Sequence, residues 1–384
     1  MTRDDTAPLK AILVGCGGMG NTQARLLNQS EEFELAAVCD LVEENVGRVA
    51  EATGATAYTD FAECLRSEQP DVAAVCSDNV SHAPLTIQAA ECESVRGIYT
   101  EKPMATSMGD ARAMVDACES NGVKLVINHQ RRIGPDMVKA RELIEDGAIG
   151  VVRRIRVQCA GDVLSDGTHA IDSALHLAGD PEVEWVFGAL HREINQEMIE
   201  RAERQRASGK TSKPGYRYGH PVENGAMAVC RLASGVRIEM FCGDMREQNR
   251  IYQDYEVFGD RGRIWRTGDK VRPNLFIQDA EGGDLEIGVD ENWQLVGMPA
   301  EGGDGTWRTV RYEGWQERHD MKEEAYRRFA AWIHEGRTHE MRARNALRGF
   351  EIIMAPYESA RQRRRIELPL EEEAFPLQLM LEAG

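Results

Sequence analysis

The chain has 384 residues, more than one hydrophobic core usually supports, so two domains are expected. A net charge of −18 argues against nucleic-acid or anionic-membrane partners, which it repels at long range, and disfavours acidic substrates unless a local basic site overrides the field. The nine cysteines are scattered with no Cys-x-x-Cys pair, no run approaches the roughly 18 apolar residues of a membrane span, and Met1 to Lys10 carries no signal-peptide pattern, so reduced thiols, no metal site and a cytoplasmic location are expected.

The apolar run Ala11 to Val14 stops on Gly15-Cys16-Gly17-Gly18-Met19-Gly20, a Gly-x-Gly-x-x-Gly turn between a strand and a helix. In a dinucleotide-binding turn Gly15 permits the bend, Gly17 admits a pyrophosphate to the backbone, and Gly20 lets helix and strand pack closely. A second buried strand, Phe33 to Asp40, ends on a carboxylate about 20 residues beyond the last glycine, where such folds place the acid that holds a ribose 2′-hydroxyl. Asp40 there favours NAD over NADP, because a carboxylate repels a 2′-phosphate; its other reading is a strand-end cap.

Helix Glu43 to Thr53, the short segment Ala55 to Tyr58 and a helix from Asp60 lead to the strand Asp71 to Cys76. Strands alternating with helices predict a doubly wound parallel sheet, whose ligands sit at the strands' carboxyl ends. The loop Ser77 to His82 is such an end. Ser77, Asn79 and His82 are candidate cofactor residues, with turn former and helix cap as the competing roles for Asn79 and His82. Gly97 to Thr100 then runs directly into Glu101-Lys102-Pro103, where proline ends the strand and leaves two charged side chains at its carboxyl edge. Ser107 and Asp110 form a capping box for a helix that stops at Asn121-Gly122, and after the strand Lys124 to Asn128 the loop His129 to Arg132 offers Arg131 as a substrate contact.

The glycine turn, the loop with Asn79 and His82, and Glu101-Lys102-Pro103 together resemble the Gfo/Idh/MocA family, the glucose–fructose oxidoreductase and inositol dehydrogenase relatives. Ser77-Asp78-Asn79 departs from the family's Thr-Pro-Asn. The resemblance implies that Lys102 contacts the nicotinamide ribose and the reacting hydroxyl, and that Gly15, Gly17, Gly18, Met19, Gly20, Asp40 and Glu101 help to hold NAD. The fold it implies is α/β: a Rossmann domain over residues 1–130 and an α+β substrate domain over 131–384 built on a large, mostly antiparallel open sheet.

From Val151 long alternating strands replace the βα pattern. His169, Asp172 and His176 then recur at i, i+3 and i+7, one face of a helix. The stretch resembles the inositol dehydrogenase His-x-x-Asp-x-x-x-His, which makes His169 the catalytic base. Histidine suits that task because its ordinary pKa of about 6.5 lets it take a proton at neutral pH. Asp166 or Asp172 is the expected partner of the ring or of substrate. The family places an aspartate four positions before this histidine, where Ser165 stands here, so the third catalytic residue is open between them.

The resemblance is weakest over residues 190–222 and 266–318, which read as insertions. In the first, helical from Ile194 to Arg206, Tyr216, Arg217, Tyr218 and His220 read as a surface excursion, a subunit contact or a cover for the site. Strands at Ala226 to Leu232, Val236 to Cys242 and Tyr255 to Phe258 follow, then amphipathic helices through Phe329 and through Phe350, the latter with Pro356 as an expected kink. The expected activity is oxidation of a secondary hydroxyl of a sugar, sugar derivative or cyclitol by NAD. The alternatives are NAD-dependent glycoside cleavage and a non-catalytic sensor, and a homodimer or homotetramer is implied by the resemblance.

Overall fold

The computed structural model describes residues 7–207, 212–247, 252–268, 273–278, 307–312 and 321–383, so most of the 266–318 insertion lies outside the described residues. The first half alternates strand and helix: β1 (Leu9–Val14), α1 (Gly18–Gln29), β2 (Phe33–Cys39), α2 (Glu43–Thr53), β3 (Thr56–Tyr58), α3 (Phe61–Glu68), β4 (Val72–Val75), α4 (His82–Ala90), β5 (Gly97–Thr100), α5 (Met108–Ser120) and β6 (Lys124–Ile127). The six strands form one parallel sheet in the order β3-β2-β1-β4-β5-β6. The order reverses between β1 and β4, the point at which sheets of this kind bind ligands because neighbouring loops diverge to opposite faces. The glycine turn, Asp40, the β4 loop, Glu101-Lys102-Pro103 and His129 to Arg132 all lie at the carboxyl ends.

The second half begins with α6 (Pro135–Glu145), β7 (Val152–Cys159), α7 (Thr168–Ala178), β8 (Val183–His191) and α8 (Gln196–Ala207). It continues with the short strands β9 (Tyr216–Arg217) and β10 (His220–Pro221), then β11 (Gly225–Leu232), β12 (Arg237–Gly243), β13 (Asp254–Gly259), β14 (Arg263–Arg266), β15 (Leu275–Gln278) and β16 (Arg308–Thr309). Helices α9 (Met321–Glu335) and α10 (Ala343–Gln362) and the strand β17 (Ile366–Glu367) follow. Among the described residues a nine-stranded sheet runs β16-β15-β14-β13-β7-β12-β11-β8-β17, antiparallel throughout except for the parallel β7–β12 pair. Buried and half-buried residues alternate along β11 and β12, as a sheet with one covered face requires. Helices α7 and α10 supply the cover, with Ile171, Leu175, Phe350 and Ile353 in its core. Pro356 lies inside α10, which continues past it to Gln362, and Gly188 of β8 admits it: a Cβ on Gly188 would stand 2.6 Å from the Pro356 Cβ.

One helix of the second half packs on the first sheet. The apolar face of α9, with Tyr326, Phe329 and Ile333, is buried against the first sheet, where Tyr326 stacks on Tyr99 of β5 at 4.4 Å. Gly97 permits this approach, since a Cβ there would meet Ile333 at 2.6 Å and Phe329 at 2.7 Å. Helix α9 therefore completes the core of the dinucleotide half.

Candidate active site

At the glycine turn the backbone is shaped for an anion. Gly15 has φ +95°, and a Cβ on Gly20 would stand 1.7 Å from the Gly15 carbonyl oxygen, so neither position accepts a side chain. Gly17 and Gly18 face open space. Helix α1 starts there with no side-chain cap and no acidic residue in its first turn, which leaves its first N–H groups for a pyrophosphate. Asp40 sits beside the turn, its carboxylate accepting from the Cys16 N–H at 2.6 Å and the Val42 N–H at 2.8 Å. It thus acts as a strand-end cap, and the same bonds hold it at the edge a ribose would reach. Met19 is 43% exposed on the turn, and Lys322 at the start of α9 comes within 3.9 Å of its sulfur. These features fit a dinucleotide.

Glu101 is buried and tied to the first helix and to the end of the sixth strand: it accepts from Gln23 of α1 at 2.6 Å and from Asn128 after β6 at 2.8 Å. His82 is buried as well, with Nδ1 2.7 Å from the Pro103 carbonyl and Nε2 3.0 Å from the Ser77 carbonyl. Both residues brace the loops that frame the crevice. Asn79 reaches the other way, its amide 2.9 Å from His220 Nε2 in the insertion.

Lys102, across from this edge, donates to the Ser165 carbonyl at 2.6 Å. Ser165 belongs to a π-helical turn, Val163–Gly167, that precedes α7 and that Asp162 caps by accepting the Ser165 N–H at 2.7 Å. Such turns are rare and recur at functional sites. One turn later stands His169, buried, with no hydrogen-bond partner on Nδ1 and with the His129 ring 5.5 Å away, edge to face. Burial first, then Arg131, Lys102, His129 and Lys322, push its pKa well below 6.5, so the ring is neutral at pH 7 and can accept a proton.

Neither aspartate orients that ring. Asp172 is buried and accepts from Arg132 Nε at 2.8 Å, and its other oxygen lies 3.5 Å from His129 Nδ1. Arg132 completes the pairing with a bidentate contact to Asp180, at 2.7 Å for both nitrogens. Asp166 accepts from Arg217 at 2.6 Å and from the Tyr252 hydroxyl at 3.1 Å. Its carboxylate lies over Gly161, where φ is +89° and a Cβ would stand 2.1 Å from Oδ2. Arg131 stacks over the Tyr252 ring at 5.3 Å. The structure thus brings Lys102, Ser165, Asp166 and His169 to one place, and turns Asp172 towards Arg132. Tyr252, and the pairing of Arg132 with Asp172 and Asp180, had no sequence signal, because each partner is 40 or more residues away along the chain.

The model of the oxidoreductase family's NAD-binding Rossmann fold matches residues 9–129, and that of the family's C-terminal alpha/beta domain matches residues 153–368. A myo-inositol 2-dehydrogenase of Thermotoga maritima is 26% identical over 287 residues, 71% of this chain and 78% of that protein. A D-apiose dehydrogenase of Paraburkholderia graminis is 32% identical over 189 residues, 44% of this chain and half of that protein's length. The fold is also that of the WlbA dehydrogenase from Bordetella pertussis, solved with NADH and UDP-GlcNAcA, with a TM-score of 0.70, 19% identity, and 95% of this chain and 100% of that one covered. The two family models between them span nearly the whole chain, and the chain belongs to the Gfo/Idh/MocA family of NAD-binding oxidoreductases.

Proposed function

We propose that the chain is an NAD-preferring dehydrogenase that oxidises a secondary hydroxyl of a sugar, sugar derivative or cyclitol. The observation that carries this reading is the meeting of Lys102 from the first sheet with the 165–169 segment of the second half, next to a histidine held neutral by burial. The nicotinamide ring, when bound, supplies the hydride acceptor. His169 takes the hydroxyl proton, and the Lys102 ammonium stabilises the negative charge that develops on that oxygen. Asp166, with Tyr252 and Arg131 beside it, hydrogen-bonds substrate, while Asp172 anchors Arg132 under the site. Asp40 excludes a 2′-phosphate.

Residues 1–130, with α9 packed on them, hold the dinucleotide, and the rest of 131–384 carries the substrate side. The open face of the second sheet, where Phe187 is 45% exposed, is offered to a second copy in a homodimer or homotetramer in the cytoplasm. The relatives named dehydrogenases of inositol and apiose support the substrate class. The test is NADH formation over a panel of sugars and cyclitols, repeated with Lys102→Met. Turnover of the best substrate falls at least tenfold in the variant, about 1.4 kcal/mol in barrier. A smaller fall removes Lys102 from the chemistry, and NADH binding with no turnover across the panel defeats the dehydrogenase reading.

A further inference from the structure

One short hairpin of the first insertion touches both walls of the site. It is formed by β9 and β10, and its strands pair Arg217 with His220. On one side Arg217 Nη1 donates to Asp162 at 2.9 Å and to Asp166 at 2.6 Å, so a single guanidinium nitrogen lies between two carboxylates of the 162–167 turn. On the other side His220, buried, sits 2.9 Å from the Asn79 amide of the β4 loop and 3.4 Å from the Ser165 hydroxyl. Between them Gly219 takes φ +88°, and its Cα rests on Val80, where a Cβ would stand 2.7 Å from a methyl group. The hairpin is rooted by Glu223, which accepts from the Val163 N–H at 2.6 Å and from the Tyr357 hydroxyl at 2.8 Å.

We propose that this hairpin is a strap and Arg217 its positioning residue: it fixes the 162–167 turn against the dinucleotide edge, so that the Ser165 carbonyl and the Asp166 carboxylate hold their places relative to Lys102. The chemistry is simple. Asp162 and Asp166 are both buried and carry like charges on one short turn, and the guanidinium between them cancels the repulsion that would drive them apart. Ser165 and Asp166 belong to that turn, and Lys102 is docked on it through the Ser165 carbonyl. Arg217 thus acts on the reaction through the turn and not by touching the reacting atoms. The consequence for rate rests on the function proposed above; the mechanical link does not.

Two readouts separate these levels in the full chain. The first is amide hydrogen exchange without substrate, which reports opening of the turn directly. Arg217→Met, which keeps the unbranched stem of a quarter-exposed side chain and removes its charged end, speeds exchange at Ser165, Asp166 and Gly167 at least tenfold; Arg217→Lys restores most of the protection. Gly219→Ala, which lifts the hairpin off Val80 from its other end, speeds exchange at the same amides and serves alone if Arg217→Met does not fold. The second readout is steady-state kinetics and NADH titration: Arg217→Met lowers kcat at least tenfold, leaves the NADH dissociation constant within threefold, and Arg217→Lys recovers kcat. Exchange within twofold of the parent in Arg217→Met, or in Gly219→Ala where it stands alone, overturns the proposal. A fall in kcat with unchanged exchange does so too, since Arg217 would then act on the reactants. Full activity in Lys102→Met defeats the catalytic reading while leaving the strap to be judged by exchange.

Discussion

Glu223 carries the prediction that can be worked furthest. Its carboxyl is 3% exposed beneath the 162–167 turn, and burial first, then the charge of Asp162, raises its pKa from 4.5 to about 7. In the unfolded chain the group releases its proton near 4.5, whereas the native protein keeps it until about pH 7. Between those values the native state binds more protons, so the group's contribution to stability is whole below about pH 4.5 and declines as the pH rises through 7. The cost levels off at about 3 kcal/mol by pH 8, because each tenfold difference in proton affinity between the native and unfolded states is worth roughly 1.4 kcal/mol. Glu223→Gln removes the titration and keeps the shape. The amide oxygen still accepts from Val163, and the rearranged contact to Tyr357 costs the same at every pH, so it cancels when two pH values are compared. Urea unfolding of parent and variant at pH 4.5 and pH 8 therefore gives a stability difference that moves by about 3 kcal/mol in favour of the variant at the higher pH. A movement of less than about 1 kcal/mol would refute the claim that this carboxyl is held protonated by its surroundings.

His169→Gln lowers kcat/KM by about a hundredfold or more while NADH still binds; because the native ring titrates well below 6.5, the parent loses activity on acidification only below that value, as the base becomes protonated. Activity falling on acidification from above pH 7 would contradict a base so depressed. Asp40→Ser narrows the preference for NAD over NADP at least tenfold in paired binding titrations, and a parent that binds both equally would remove the role given to Asp40. Gly20→Ala places a methyl group 1.7 Å from a carbonyl oxygen that cannot yield without opening the turn, so NADH affinity drops at least tenfold; affinity within twofold would show that the turn relaxes. Phe329→Ala costs about 3–5 kcal/mol, because its ring fills the space between α9 and the first sheet, and calorimetry measures the loss.

The dinucleotide half was legible in the sequence because its signals are local. A glycine is required where φ is positive or where helix and strand touch, an acid ends the second strand, and a proline ends the fifth, each within a few residues of the element it shapes. The change from βα alternation to long alternating strands announced the second sheet for the same reason: burial on one face imposes a period of two. Lys102 and His169 were readable as candidates through their neighbours in the chain.

Tertiary structure decided what those residues do to one another. The helical period places Asp172 on the same face as His169, yet its carboxylate turns to Arg132 and accepts from the buried Nε, while Asp180 takes the other two nitrogens. His82 and Glu101 spend their polar atoms on the Ser77 and Pro103 carbonyls, Gln23 and Asn128. Arg217 reaches Asp166 across some fifty residues, and α9 returns from beyond residue 320 to complete the first core. None of these pairings leaves a periodic or motif signature, since a charge or an apolar face finds its partner through the fold. The sequence by itself therefore determined the elements and the chemistry available at their ends, and the packing of distant segments determined which of those groups are left facing the crevice.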